Sequence, residues 1–261
     1  MIFSRQPSGF ALGALAGTYP AVALGLPPAV GPCMFDDFTA DHATKAKSLY
    51  GELDWLENTI GAATTVTTVQ PSTFAEIGVM QVTTPATANR GATFTQGAIA
   101  PLFRFPPIGS VWACKIRLTS GTTAYELWSG FSSVAAGRVA TADATAFVGV
   151  RAVGANLFGV VKSGAATEAT IDLGMTVEGA TWQAVGFEVL GTSAVPLFQF
   201  FRFNVGATER GIHEREDIGA PVGGITILAG LMPVALGILT TSVTAKTAQI
   251  DYWAWGGRVA R

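Results

Sequence analysis

The sequence predicts an all-β protein built as a sandwich or jelly roll, and three observations predict it. Short apolar runs separated by Gly, Pro, Asn and Thr fill most of the 261 residues. Several runs alternate with period two, the spacing of a strand with two different faces. No segment carries a sustained helical period, and many short strands with turn signals between them pack as sandwiches, jelly rolls or barrels.

Composition adds a constraint on function. Only 13% of residues are charged, against about a quarter in an ordinary soluble domain. A β-protein this bare of charge hides its flanks and edges against neighbours, because unpaired edges otherwise aggregate. That points to a part in an assembly rather than to a freely diffusing enzyme. The net charge of −2 and the absence of a Lys/Arg block exclude nucleic acid and anionic lipid as expected partners. Cys33 and Cys114 fit either one disulfide or two buried thiols.

Residues 1–34 are expected to form an extended, apolar N-terminal arm, with the sandwich domain spanning 35–261. Residues 10–30 are greasy enough to suggest a membrane span, but Pro20, Pro27 and Pro28 interrupt them and several glycines dilute them. Prolines remove backbone donors that a lipid-buried helix needs, and Arg5 alone is a poor start for a signal peptide. No membrane partner is expected. The arm instead suits docking on another protein surface through Phe10, Leu12, Leu15, Tyr19, Val22, Leu24 and Leu26.

From Phe35 onward the strand pattern takes over. A short helix is expected within 41–50, capped by Asp41. Strands are expected over 77–83, 98–105, 111–119, 123–131, 146–152, 156–162 and 166–172, then 181–190, 197–205, 225–230 and 247–255. In 115–119, Ile116 and Leu118 face one way while Lys115, Arg117 and Thr119 face the other. In 183–189, Val185, Phe187 and Val189 oppose Ala184, Gly186 and Glu188. Strand 197–205 is apolar on both sides, which predicts a place in the middle of a sheet covered twice. Residues 206–224 read as a long Gly-bounded loop. Its His213-Glu214-Arg215-Glu216-Asp217 run reads as a solvated tip rather than a metal site, so no metal and no cofactor are expected.

One motif carries enzymatic precedent. The Glu52-x-Asp54-x-x-Glu57 spacing resembles the signature of laminarinase-type glycoside hydrolases, which have concanavalin A-like jelly rolls. Paired carboxylates about 5 Å apart supply a nucleophile and an acid/base for retaining hydrolysis. In those hydrolases the motif lies mid-chain beside a Trp-rich wall. Here it precedes nearly all the strands, so an early strand or loop with solvated carboxylates is the expected role, without catalysis.

The order of landmarks resembles a second family, tailed-bacteriophage virion proteins with the same jelly roll. Phe35-Asp36-Asp37-Phe38 leads to Gly51-Glu52-Leu53-Asp54-Trp55. Then come Pro71, Ile77-Gly78-Val79, Trp112, Arg117, Trp128-Ser129-Gly130-Phe131, Thr181-Trp182, Phe201-Arg202-Phe203-Asn204 and Ile250-Asp251-Tyr252. The resemblance implies a concanavalin A-like β-sandwich and a non-enzymatic virion component, most simply a capsid decoration or cement protein or a head fibre. The implied partners are the major capsid protein or other virion proteins, and further copies of the chain, with a trimer fitting the usual symmetry of projecting parts. The implied location is the virion, assembled in the host cytoplasm. The alternatives are a carbohydrate-binding tail-fibre module and a laminarinase-like hydrolase.

Two surface features bear on those alternatives. Trp253 and Trp255 share a face of the last strand beside Asp251, and are candidates either for sugar stacking or for the core. Arg104, Lys115, Arg117, Arg151, Lys162 and Arg202 would form one cationic sheet face if they align, or scattered edge cations if they do not.

Overall fold

A computed structural model describes residues 33–36, 38, 49–51, 53, 55–61, 65–66, 78–96, 110–120, 123–134, 146–163, 168–177, 181–191, 196–203, 215–222 and 231–256. Among them every regular element is a strand. The chain first lays down four short pieces: β1 (Cys33–Asp36), β2 (Leu49–Tyr50), β3 (Trp55–Ile60) and β4 (Thr65–Val66). β5 (Met80–Thr83), β6 (Arg90–Thr95), β7 (Val111–Leu118) and β8 (Tyr125–Ser132) follow. Next are β9 (Ala146–Val153), β10 (Asn156–Ser163), β11 (Glu168–Thr176) and β12 (Gln183–Gly191). β13 (Pro196–Phe203), β14 (Arg215–Val222), β15 (Met232–Thr240) and β16 (Thr247–Gly256) complete the set.

The strands form two antiparallel sheets. Sheet I runs β14-β13-β12-β7-β16-β5-β4, with β1 also paired to β16. Sheet II runs β11-β10-β9-β8-β15-β6-β3-β2. β16 organises one side of the sandwich: β7 pairs along its length, while β5 takes the first half of its other edge and β1 the second. The register Cys33↔Gly256 places the start of the described chain at the end where β16 finishes. The opposite end carries the tight β5–β6, β7–β8 and β15–β16 loops, tied together by Asn89 N–H to Thr240 O at 2.7 Å and Thr241 N–H to Ala124 O at 2.9 Å.

Alternation of side chains builds the core. Trp112, Cys114, Ile116 and Leu118 of β7 and Val185, Phe187 and Val189 of β12 point between the sheets. Leu127 and Phe131 of β8 and Val148 and Val150 of β9 meet them from sheet II. Phe131 sits at the centre, with ring centroids 5.6 Å from Trp253 and 6.2 Å from Phe187. Edge-to-face packing of this kind adds to the burial of large rings.

Both sheets also carry apolar side chains on their outward faces. Trp128, Phe147, Val160, Val234 and Leu239 form a buried cluster on the far side of sheet II. A smaller one, Val111, Ala113, Ala184 and Phe201, lies on the far side of sheet I. The expectation that β13 is covered twice holds only in part: Phe198 and Phe200 enter the core and Phe201 joins the outer cluster, while Leu197 is partly exposed. β13 lies second from the edge rather than mid-sheet.

Several expectations are corrected. Residues 215–222, read as loop, form edge strand β14. Residues 49–50, read as the end of a helix, form β2 paired with β3. Strands β6 and β15, absent from the sequence reading, lie side by side in sheet II. Of the two states left open for the cysteines, Cys114 takes that of a free, buried thiol. Cys33 and Met34, expected as the last residues of the arm, open strand β1 of sheet I; the rest of the expected arm with its docking residues, the strands expected at 98–105 and 225–230, and His213 and Glu214 lie outside the described residues.

Candidate functional site

The two opening landmarks of the sequence meet in the structure. Asp36 ends β1, and its fully buried carboxylate accepts three hydrogen bonds. They come from Phe38 N–H at 2.7 Å, Leu53 N–H at 2.8 Å and the Trp55 indole Nε1–H at 2.8 Å. The chain turns sharply after Asp36, with Phe38 in the left-handed region (φ 54°) and its ring 6.5 Å from Trp55. Gly51 is required on two counts. Its φ is +68°, and a Cβ there would stand 2.4 Å from the Asp36 carboxylate. Trp55 in turn packs edge-on against Trp253 of β16 at 5.2 Å. The Gly51–Trp55 segment is therefore a clasp that joins β1 in sheet I to β3 in sheet II. Each buried donor left without this carboxylate would cost about 1–3 kcal/mol.

The carboxylate motif is only partly in view. Glu52 and Asp54 lie outside the described residues, and Gly51 and Leu53 beside them form a turn before β3 begins. Glu57 is on β3 opposite Phe94, a core residue. It therefore shares the inter-sheet side of an outlying strand with Trp55.

The candidates for sugar stacking move. Trp253 and Trp255 belong to the core between the sheets and offer no outward platform. Asp251 is turned the other way by a bulge between Ile250 and Tyr252, and pairs with Lys115 Nζ at 2.8 Å. The six cations form no single face. Lys115 and Arg117 stand on the outer side of sheet I, opposite the core residues Cys114, Ile116 and Leu118. Arg151 and Lys162 stand on the outer side of sheet II, across from Trp128 and Phe147 respectively. Arg202 pairs in register with the core residue Val185 and so faces inward, with its guanidinium near Gly174 of β11. Arg104 lies outside the described residues.

A hydrogen-bonded polar row lies on the outer face of sheet I, with Gln249 at its centre buried. It crosses β5, β16 and β7 and ends on the residue before β12: Gln81, Gln249, Arg117 and Trp182. Gln249 Nε2–H donates to Gln81 Oε1 at 2.6 Å, and Arg117 Nε–H donates to Gln249 Oε1. The Arg117 guanidinium lies 4.2 Å from the centroid of the Trp182 ring, and Lys115 Nζ lies 5.1 Å from it. A neighbouring row of hydroxyls follows, with Thr83 Oγ1 and Thr247 Oγ1 3.0 Å apart and Thr119 Oγ1 donating to Thr247 O. Period-two alternation placed Lys115 and Arg117 on this face correctly. Gln81, Gln249 and Trp182 were missed, because their convergence depends on the registers of three non-consecutive strands. Among the described residues no group of three or more His, Cys, Asp or Glu side chains is placed to hold a metal ion, and no helix is long and apolar enough to cross a membrane.

Comparison with known proteins bears on the fold. No family model matches the chain, and no curated protein matches it. Among solved structures, a β-1,3-glucanase from Mycobacterium marinum is similar at 10% identity and a TM-score of 0.51, covering 86% of this chain and 99% of that one. An immunostimulatory antigen and pseudo-β-1,3-glucanase of Mycobacterium tuberculosis is similar at 11% identity and a TM-score of 0.51, covering 87% and 98%. A structure of botulinum neurotoxin type C is similar at 9% identity and a TM-score of 0.48, and the chain spans 48% of its length. The two-sheet antiparallel arrangement and the two mycobacterial likenesses define the class, a β-sandwich. Within that class the fold is a concanavalin A-like jelly roll.

Proposed function

We propose that this chain is a non-enzymatic structural component of a tailed-phage virion, attached to the capsid shell through residues 1–34. The observation that carries the reading is the Asp36 clasp. The backbone and the tryptophan of the one motif with hydrolytic precedent are engaged in closing the sandwich at Asp36. The same clasp anchors the point where the arm joins the domain, since β1 is zipped to β16 from Cys33 to Asp36. An arm that holds a domain on a surface needs such a root, because a force on the arm is then shared by a ladder and a buried hydrogen-bonded carboxylate. Arms laid along a neighbour bury area without a large preformed patch, and the scarcity of charge suits a protein whose flanks meet other subunits. Further copies of the chain in a symmetric ring, such as a trimer, fit the same role.

The test uses the full chain and heads that lack it. Unsubstituted protein should co-sediment with the heads. The triple variant Leu12→Ser, Leu15→Ser, Leu24→Ser should bind at least about a hundredfold more weakly, since each buried leucine contributes about 1.5–3 kcal/mol. Absence of binding by the unsubstituted protein, or equal binding by the variant, overturns the reading.

A further inference from the structure

We infer that β1, together with Phe38, is an exchangeable strand: in the assembled protein it fills the β16 edge of a neighbouring copy of this chain. Exchange rests on the part of the reading above in which copies form a ring, and it supplies the contact between them. Three features of β1 and its surroundings point to it.

The first is a socket built by distant parts of the chain. β5 pairs with β16 from Thr247 to Ile250, and β1 takes the same edge from Trp253 to Gly256. The Asp36 carboxylate accepts from Leu53 N–H and Trp55 Nε1–H, in room kept open by Gly51. The Phe38 ring lies 6.5 Å from that of Trp55. A second copy presents the same edge, the same donors and the same glycine, so β1 gains equal contacts in either one. Alone, the chain closes β1 on its own β16. Copies side by side present a second edge at high effective concentration.

The second is the link, residues 39–48, that joins Phe38 to β2. Both of its ends lie against Trp55, Phe38 through its ring and Tyr50 through its register. A span of roughly 10 Å needs about four residues, whereas the ten of the link reach about 33 Å. The link contains Asp41, His42, Lys45 and Lys47 and no apolar residue larger than alanine, so it brings nothing that needs a core. Length beyond what closure on the same chain requires is what handing a strand to a neighbour demands.

The third is the state of the other surfaces. The scarcity of charge calls for neighbours, yet the large apolar side chains exposed among the described residues are Leu56, Val153 and Val243, each on a separate element. The outer cluster of sheet II is buried, and the Gln81–Gln249–Arg117 row of sheet I is bonded within itself. An exchanged strand joins copies through a ladder and a buried carboxylate, and needs no preformed apolar patch. Each copy gives one strand and receives one, a head-to-tail contact that closes into a ring.

The register supplies the assay. Cys33 stands opposite Gly256, so the full-length Gly256→Cys variant places a pair of thiols across the β1–β16 ladder. The variant is oxidised at a concentration where sedimentation shows the multimer, then run on a denaturing gel without reductant. Exchange predicts loss of most of the monomer band to covalent multimers that end at the copy number of the ring. The double variant Phe35→Cys, Ala254→Cys in a Cys33→Ser background repeats the test at another registered pair, should Gly256→Cys fold poorly. An internally bonded monomer from a multimeric sample, or no bond in either variant, overturns exchange and leaves the ring standing. Unsubstituted protein that sediments as a monomer at every concentration overturns both. Neither result alters whether the arm variant co-sediments with heads.

Discussion

The outer faces of the two sheets differ more than the two sheets themselves. Sheet II turns Trp128, Phe147, Val160, Val234 and Leu239 outward, and every one of them is buried. Sheet I turns a linked strip of Gln81, Gln249, Arg117 and Trp182 outward beside a small apolar cluster. Both sheets follow the same period-two alternation against a shared core. The difference shows that alternation fixes which side chains leave the core, while the chemistry of those that leave decides whether a face packs as an apolar cluster or knits into a polar network.

The sharpest way to break this comparison is to cut the same residue type from each face. Trp128 lies so close to Gly237 that a Cβ on the glycine would stand 2.0 Å from the indole. Trp128→Ala should therefore cost roughly 3–5 kcal/mol, in the range of a large ring removed from a packed site. Trp182→Ala should cost about 1 kcal/mol or less, since it removes a half-exposed ring and its cation contacts. Urea unfolding of the two variants reads both values. Equal costs would mean that Trp182 is packed as tightly as Trp128, and would remove the contrast between the two faces.

The sequence shows one face better than the other. On β7 and β12 the alternation of Ile116 and Leu118 against Lys115 and Arg117, and of Val185 and Phe187 against Ala184 and Glu188, reads correctly because polar and apolar residues take turns. On β15 it fails, since Val234 and Leu239 go outward while Ala235, Leu236 and Ile238 go inward. A strand apolar on both sides has no period to read, and Pro233 and Gly237 disguise it further. β6 was missed because Arg90–Thr95 has a single large apolar residue, Phe94. The polar strip was illegible for another reason: Gln81 and Gln249 are 168 positions apart and meet only through the pairing of β5 with β16. The Asp36 clasp was legible as two landmarks in order, but their contact was not.

Between the two faces, Cys114 offers a probe of whether the sheets stay closed. It leaves β7 toward sheet II, and burial pushes its thiol from 9.0 up to about 12 despite a hydrogen bond with Ser129. The folded state therefore holds the proton more tightly than the unfolded state. The resulting stability is fully present below pH 9.0, falls as the pH rises above it, and is lost by about pH 12. Cys114→Ala should flatten the decline in stability on the alkaline side, measured by urea midpoints through that range. A decline of unchanged slope would mean that the thiol is not the titrating group. In a Cys33→Ser background, the Cys114 thiol of the native protein should also resist an aromatic disulfide reagent at neutral pH, where a buried neutral thiol is inert.

The smallest contrast is between the ion pairs of the two faces. On sheet II, Arg151 holds Glu168 through both carboxylate oxygens, Nη1 to Oε2 at 3.1 Å and Nη2 to Oε1 at 2.7 Å. On sheet I, the Lys115 ammonium meets Asp251 Oδ2 at 2.8 Å. Two parallel hydrogen bonds fix a guanidinium in plane, whereas an ammonium tolerates many geometries. Both pairs are partly open to solvent, so each is worth little. Double-mutant cycles should give about 0.5–1 kcal/mol for Arg151–Glu168 and about 0.2–0.5 kcal/mol for Lys115–Asp251. Arg151→Lys should lose most of the first coupling, because a lysine cannot reproduce the fork. If it keeps the coupling, the two faces differ in packing alone and not in how they hold charge.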